Sequence, residues 1–215
     1  MKKPIHKIAL TIITLFLVGC VNAFQKADHM IGLMQNDTTA IIGQLNRIQT
    51  FENQMQTDFE STIEKDESLQ YFKDDQNPIM TNIAQREECL EMIEASLQDL
   101  IDLLDELALL KLDSDHHVQT LEDIDQQVAD LNDDLVVYVN DYKDNLNIER
   151  ASFKAISHPD THYDRFFEVI HNVNTVSTTN SINLDQVLGH FEGLNSNLVN
   201  FKVSILDAQN KSKSQ

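Results

Sequence analysis

Four histidines have spacings that bear on metal binding. His116 and His117 are adjacent, and neighbours on a helix point about 100° apart, so these two cannot easily share one ion. His158 and His162 lie four residues apart, which suits two ligands on one helical face. Pro159 lies between them, and proline is typical of a first helical position. We therefore predict no metal site at either pair.

The remaining reactive side chains do not form a catalytic pattern. The sequence has no nucleophile elbow, zinc-protease helix, phosphate loop or CxxC pair. Its carboxylates recur at the i, i+3 and i, i+4 spacing of exposed helix faces, and no pattern indicates a pocket that would raise one carboxyl pKa above its neighbour. Cys89 is a lone thiol whose acidic neighbours should raise its pKa, and His171 and His190 fall on the polar side. We predict no catalytic residue, no cofactor and no enzyme activity.

The charge balance excludes one class of partner. There are 35 acidic and 16 basic residues, a net charge of -19, and no basic stripe that could neutralise phosphates, so we expect no nucleic-acid binding. Residues 87–134 hold 16 acidic side chains against Lys111 alone. This stretch indicates either a solvated helix face or a surface that concentrates divalent cations. Asp113-Ser114-Asp115 lacks the glycine and glutamate of an EF-hand loop, so tight calcium binding is not predicted.

The amino terminus has the pattern of an export signal. Three lysines precede an apolar run, Ile8 to Val18, which is shorter than the roughly 20 residues that span a bilayer. This run is followed by Gly19 and Cys20. The tetrapeptide Leu17, Val18, Gly19 and Cys20 resembles the lipobox of bacterial lipoproteins.

In lipoproteins with this motif, the cysteine thiol takes a diacylglyceryl group, and a dedicated peptidase cuts before it. The resemblance implies a signal peptide at residues 1–19, acyl chains such as palmitate on Cys20 and a mature domain at residues 20–215. Two or more acyl chains make membrane attachment stable, whereas one is marginal. Because only Cys89 remains once Cys20 is acylated, no intramolecular disulfide is possible.

Three breaks divide the rest of the chain into four segments. Pro78 follows Asn77, Pro159 follows His158 and Ser157, and Asp113-Ser114-Asp115 can cap a helix start. The predicted helices are residues 24–73, 78–112, 115–157 and 159–209. Only five glycines and no tryptophan in 215 residues argue against a β-sandwich, which needs frequent turns.

Each segment carries a seam, meaning side chains at alternating steps of three and four that keep one face toward a partner helix. The predicted seams comprise Met34, Thr38, Ile41, Leu45, Ile48, Glu52, Met55, Phe59 and Thr62; Ile83, Leu90, Ile93, Leu97, Leu100, Leu104 and Leu107; Leu121, Ile124, Val128, Leu131, Leu135, Tyr138 and Tyr142; and Tyr163, Phe166, Ile170, Val173, Ser177, Asn180, Leu184, Val187, Phe191, Leu194, Leu198, Phe201 and Ile205. We predict an all-α fold, an elongated antiparallel coiled-coil bundle of about four long helices. The polar seam positions Glu52, Ser177 and Asn180 indicate either control of helix register or a polar ligand site inside the bundle.

Beyond the lipobox, the sequence resembles the YkyA-like group of cell-wall-binding lipoproteins, exported coiled-coil proteins of Gram-positive bacteria. The segments that carry this resemblance are Arg86 to Glu91 and Glu149 to Lys154. It implies attachment to the outer face of the cell membrane through the diacylglyceryl anchor, with peptidoglycan or wall-associated proteins as partners. We also expect Lys211 and Lys213 to lie near the bilayer. The alternative is a surface receptor for a small ligand or a divalent cation.

Overall fold

The computed structural model consists of four α-helices and one short 3-10 helix. It describes residues 5–66, 68–110, 112, 115–158 and 163–213, and the side chains of 23–66, 68–110, 112, 117–158 and 167–211. The helices are α1 (Ile5–Lys65), α2 (Pro78–Ala108), α3 (Asp115–Ala155) and α4 (Tyr163–Lys213), and the 3-10 helix is Gln70–Lys73. The described residues contain no strand, so the all-α prediction is confirmed.

Local side-chain hydrogen bonds explain where two of the helices begin and end. The backbone amide of Met80 donates to Asn77 Oδ1 at 2.9 Å, so Asn77 caps α2 with Pro78 at its first position, as predicted. The first segment was predicted to stay helical to Lys73, but α1 ends at Lys65. There the Asp66 carboxylate accepts hydrogen bonds from the amides of Ser68 and Tyr71, which turns the chain.

The junction of α3 and α4 differs from the predicted one. Ser157 was predicted to help cap a helix that begins at Pro159, but its hydroxyl donates to the carbonyl of Lys154 at 2.6 Å and thus closes the end of α3. Pro159 itself lies outside the described residues. The helix α4 begins at Tyr163 and continues without interruption to Lys213, which confirms one long final helix.

The predicted seams form the core of the bundle. All seven seam residues of α2 are buried, as are six of the seven on α3 and the eight on α4 from Asn180 onward. On α1 the seam residues are buried except Glu52, Met55 and Phe59, which are half-buried. Tyr163 and Phe166 lie outside the described side chains.

The chain divides into two compact units, and all four helices contribute to each. Unit 1 comprises Met1–Thr38, Gln98–Asp130 and Phe191–Gln215. Within it, α3 and α4 are antiparallel, because His117 Nε2 lies 3.0 Å from Ser204 Oγ whereas Gln127, further along α3, accepts a hydrogen bond from Asn197 at 3.1 Å. The ring of His117 packs against Phe24 and Phe201.

Unit 2 comprises Thr39–Leu97 and Leu131–His190. Its neighbouring helices are again antiparallel: Asn145 donates to Asn180 at 2.7 Å, and His190 Nε2 lies 2.6 Å from Asp134, which is earlier on α3. This unit contains a buried ion pair, formed by Arg86 and Glu149. The antiparallel prediction therefore holds within each unit.

Among the described residues, no helix contains a stretch both long enough and apolar enough to cross a bilayer.

Candidate functional site

A buried arginine is the centre of the polar core of unit 2. Arg86 on α2 is 1% exposed, and Glu149 on α3 is 2% exposed. The two form a bidentate ion pair, in which Nη1 donates to Glu149 Oε1 at 3.2 Å and Nη2 donates to Oε2. Asn82, one turn before Arg86, accepts a hydrogen bond from Nε at 3.0 Å. Burying a charge is costly unless it is paired and hydrogen-bonded, and both conditions are met here.

A hydrogen-bonded relay connects this ion pair to α1. Arg86 Nη1 also donates to the Tyr142 hydroxyl at 3.2 Å, and that hydroxyl donates to Glu52 Oε1 at 2.6 Å. Burial raises the pKa of Tyr142 well above its ordinary value, so the phenol stays protonated and remains a donor. One cation and two carboxylates are thus joined in a single network.

Glu52 differs from Glu149 in its surroundings. Burial raises the pKa of the Glu52 carboxyl, while the hydrogen bond from Tyr142 and the charge of Arg86 act to lower it. Glu149 has both oxygens bound to the Arg86 guanidinium. Glu52, in contrast, accepts its hydrogen bond from the neutral Tyr142 hydroxyl. The network therefore contains one carboxylate without a cation of its own.

A cleft of about 340 Å³ opens beside this network. All four helices line it: α1 through Glu52, Met55, Gln56 and Phe59; α2 through Arg86; α3 through Glu149 and Phe153; and α4 through Ile170, Val173, Asn174 and Ser177. The half-buried seam residues of α1 (Glu52, Met55, Phe59) and of α4 (Ile170, Val173, Ser177) all belong to this lining. The seams of α1 and α4 are thus incompletely buried where the cleft lies.

The polar layer of α4 borders the cleft. Ser177 lines it, and Asn180, 3% exposed, accepts a hydrogen bond from Asn145. The Nδ2 atom of Asn180 is buried and makes no hydrogen bond of normal geometry, although the amide is near enough to Glu52 to lower its carboxyl pKa. Glu52, Ser177 and Asn180 therefore come together around one site, the arrangement that a ligand site requires.

Sequence reasoning missed the buried ion pair of the network, Arg86 and Glu149. The expectation that the paired carboxylates are all exposed was wrong for Glu149, which is buried. A signal was present in the spacing. Arg86 occupies the seam position between Ile83 and Leu90, and Glu149 continues the α3 seam beyond Tyr142 through Leu146. Charged residues at seam positions, such as these two, indicate a buried pair.

The cysteine and the histidines have varied positions. Cys89 is buried, and burial, more than its neighbour Glu88, raises its thiol pKa. His171 is exposed as predicted, but His190 is half-buried against Asp134. His117 lies in the first turn of α3, whereas the His116 side chain and His162 lie outside the described part.

The predicted lipidation site is left without a structural test. The side chains of Leu17, Val18, Gly19 and Cys20 lie outside those that the structure describes, although the backbone there belongs to α1. Among the described residues, no three His, Cys, Asp or Glu side chains come together in a way that could hold a metal ion.

Comparison with known proteins identifies a family. No curated protein and no solved structure matches the chain. A family model, YkyA, with the description "Putative cell-wall binding lipoprotein", matches residues 23–202. This match covers all of unit 2 with every residue of the cleft, and most of unit 1. The chain therefore belongs to the YkyA family.

Proposed function

We propose that the protein is a lipoprotein held at the outer face of the cell membrane by acylated Cys20, where it binds the cell wall without enzymatic activity. The match of residues 23–202 to a family described as cell-wall binding carries this proposal. The lipobox resemblance at Leu17 to Cys20 supplies the anchor. An all-helical chain without a described membrane span is compatible with attachment by lipid.

The packing of unit 1 supports a second contact with the bilayer. Lys202 on α4 lies 3.8 Å from Asp28 on α1. Glu52, later on α1, lies beside Asn180, earlier on α4, so these helices run in opposite directions. Lys211 is nine residues after Lys202, and Cys20 is eight residues before Asp28, so the two positions are at similar heights along the pair. We propose that Lys211 and Lys213 face anionic lipid, where each basic side chain contributes about 1 kcal/mol.

The anchor is tested by acyl labelling in a bacterial host, because the chain offers a matched control. It has two cysteines, Cys20 and Cys89. Cells that express the full chain are fed a labelled fatty acid and then fractionated. The protein and its Cys89→Ala variant should carry label and sediment with membranes. Cys20→Ala should carry no label and should be secreted or kept as the unprocessed precursor.

The second half of the proposal is tested with isolated wall material. The protein should co-sediment with purified peptidoglycan and should release no soluble fragments from a labelled preparation. If the protein does not sediment with the peptidoglycan, its binding to the wall is contradicted. If soluble fragments are released, the non-enzymatic role is contradicted. Label on Cys20→Ala would contradict the anchor.

A second candidate function is a receptor for a small ligand, favoured by the cleft of unit 2 with Glu52, Ser177 and the buried ion pair at its border. Its volume of about 340 Å³ lies within the range of small-molecule sites in proteins. A divalent-cation receptor has less support, because the described residues bring no set of three ligands together.

A further inference from the structure

We propose that the cleft of unit 2 binds a primary ammonium group carried on a short apolar body, with Glu52 as the residue that pairs with the ammonium. The lining has two chemically distinct parts. One part is polar and comprises the charged network of Glu52, Arg86 and Glu149 together with the neutral side chains of Gln56, Asn174 and Ser177, and the other is a wall of apolar side chains. The inference concerns unit 2 alone and does not depend on the anchor at Cys20 or on wall binding.

The charge of the ligand follows from the partners of Arg86. Its Nε donates to Asn82, Nη1 to Tyr142 and Glu149, and Nη2 to Glu149. The charge of Glu149 is therefore balanced within the protein. Among the residues that line the cleft, Arg86 is the only cation against two carboxylates. A ligand cation would balance the remaining charge, whereas an anion would have to compete with Glu149 for Arg86.

The position of Glu52 suits this pairing. It is half-buried and lines the cleft, so a ligand can reach it. Tyr142 donates to its Oε1 at 2.6 Å, which fixes one end of the carboxylate. Behind it, the buried amide of Asn180 lies close enough to Glu52 to favour the charged carboxylate, although its Nδ2 makes no hydrogen bond of normal geometry. Tyr142 and Asn180 are both neutral, so the protein supplies Glu52 with hydrogen-bond donors but with no cation of its own.

The apolar side chains of the cleft determine what kind of body the ligand carries beside its ammonium group. Met55, Phe59, Phe153, Ile170 and Val173 form this apolar wall. These side chains favour hydrocarbon over a second polar group. A volume of about 340 Å³ accommodates a chain of several carbons or one small ring. Two sources present such a group: a free amine, and the side chain of a basic amino acid in a peptide.

The test compares hexylamine with 1-hexanol, which share the same hydrocarbon and differ in charge. Binding to the purified full-length protein is followed at pH 7.5 by protein NMR shifts. Because hexylamine is small, we expect its Kd to be on the order of 1 mM. This Kd should be at least about 10-fold below that of 1-hexanol. The Glu52→Gln variant keeps an acceptor for Tyr142 but loses the charge, so it should lose this preference. Glu64→Gln removes a charge from an exposed site on the same helix and should keep it.

A second variant controls for the site. Val173→Phe should fill the cleft and weaken the binding of both probes. Equal affinity for hexylamine and 1-hexanol, a preference that survives Glu52→Gln, or no binding of either probe would overturn the proposal. Displacement of hexylamine by CaCl₂ but not by NaCl of equal ionic strength would also overturn it, in favour of a metal site.

The source of the ammonium group is distinguished with a third probe. N-acetyl-lysine methylamide carries the same group on a peptide-like backbone, and its norleucine analogue is the uncharged control. Tighter binding of the lysine probe than of hexylamine assigns the site to a peptide side chain. Tighter binding of hexylamine assigns it to a free amine. If wall binding fails while hexylamine binds as expected, only the proposed function is contradicted.

Discussion

Arg86 carries a full positive charge although it is only 1% exposed, so its guanidinium requires partners within the protein. Three residues provide them: Asn82, Tyr142 and Glu149 each bind the guanidinium. A buried pair of this kind contributes little net stability compared with apolar residues of the same volume, but loss of one partner leaves the other charge buried alone. Both effects can be measured in this protein.

The first prediction concerns this ion pair. Arg86→Met should lower the free energy of unfolding by about 3 to 5 kcal/mol, because it leaves Glu149 buried without a cation. Glu149→Leu should cost a similar amount, and the double variant should cost much less than the sum of the two. Denaturant titrations of the four proteins form a double-mutant cycle that measures the coupling.

The neighbouring pair of Arg150 and Glu87 is a matched control. It joins the same two helices at 2.6 Å, but its side chains are 30% and 37% exposed. Arg150→Met and Glu87→Leu should each change the unfolding free energy by less than about 1 kcal/mol. If both pairs give the same coupling, the burial of Arg86 and Glu149 is not the decisive factor.

The second prediction concerns the pH dependence due to Glu52. Its pKa in the folded protein is raised above the ordinary value of 4.5, mainly by burial. Between 4.5 and the raised pKa, the folded state binds more protons than the unfolded state, so this carboxyl lowers stability as the pH rises. Above both pKa values the penalty is complete.

Glu52→Gln removes this penalty, so the stability of the variant relative to the parent should increase from pH 4 toward pH 7. Denaturant midpoints of both proteins at matched pH values measure the difference in stability. The contributions of the other carboxyls are the same in both proteins and cancel in this difference. A difference that decreases toward pH 7 would contradict the raised pKa. Such a decrease would also indicate that Glu52 is stabilised as an anion in the ligand-free protein.

At the scale of the elements, the sequence predicted the number, type and buried faces of the helices. Periodicity is reliable here because a seam of three- and four-residue steps is repeated over many turns. The ends were less predictable. The second helix was expected to reach Leu112 but ends at Ala108, since Leu109 and Leu110 donate their amides to Glu106 and Leu107 in turns. Such turns depend on local geometry that apolar periodicity does not encode.

The candidate site was predictable only in part. Glu52, Ser177 and Asn180 were identified as polar seam positions, and all three lie at or beside the cleft. The existence of a cleft depends on the packing of side chains from four helices, such as Phe153 against Phe59 at 6.0 Å. A single sequence indicates on which face of its helix a residue lies, but not the distance between the facing surfaces of neighbouring helices.

The third prediction tests the seam of α4. Leu198 is fully buried, whereas its neighbour Val199 is 51% exposed. Leu198→Ala should lower the free energy of unfolding by about 2 to 5 kcal/mol, because it removes buried methyl groups and leaves a cavity. Val199→Ala should change it by less than about 0.5 kcal/mol. Thermal or denaturant unfolding measures both, and similar costs would mean that the helix is rotated from the position described.

At the scale of the whole molecule, charge is the dominant feature. The net charge of -19 favours solubility and opposes folding through self-repulsion. Some carboxylates of the acidic stretch have partners: Glu87 pairs with Arg150, Glu94 with Lys143 and Glu106 with Lys26. The described residues contain no group of three metal-ligating side chains. The ion pairs favour a solvated acidic face over a cation site in residues 87–134.

The fourth prediction follows from this excess of negative charge. Raising NaCl from 20 mM to 500 mM should increase the Tm by several degrees, because the screening length falls from about 20 Å to about 4 Å and the repulsion between carboxylates weakens. CaCl₂ at equal ionic strength should give the same increase if the acidic stretch is only solvated. Calorimetry in the two salts measures this. A distinctly larger increase in CaCl₂, lost when Glu122, Asp123 and Asp125 are changed to the corresponding amides, would show specific cation binding, since ligands that bind only the folded state raise its stability by mass action.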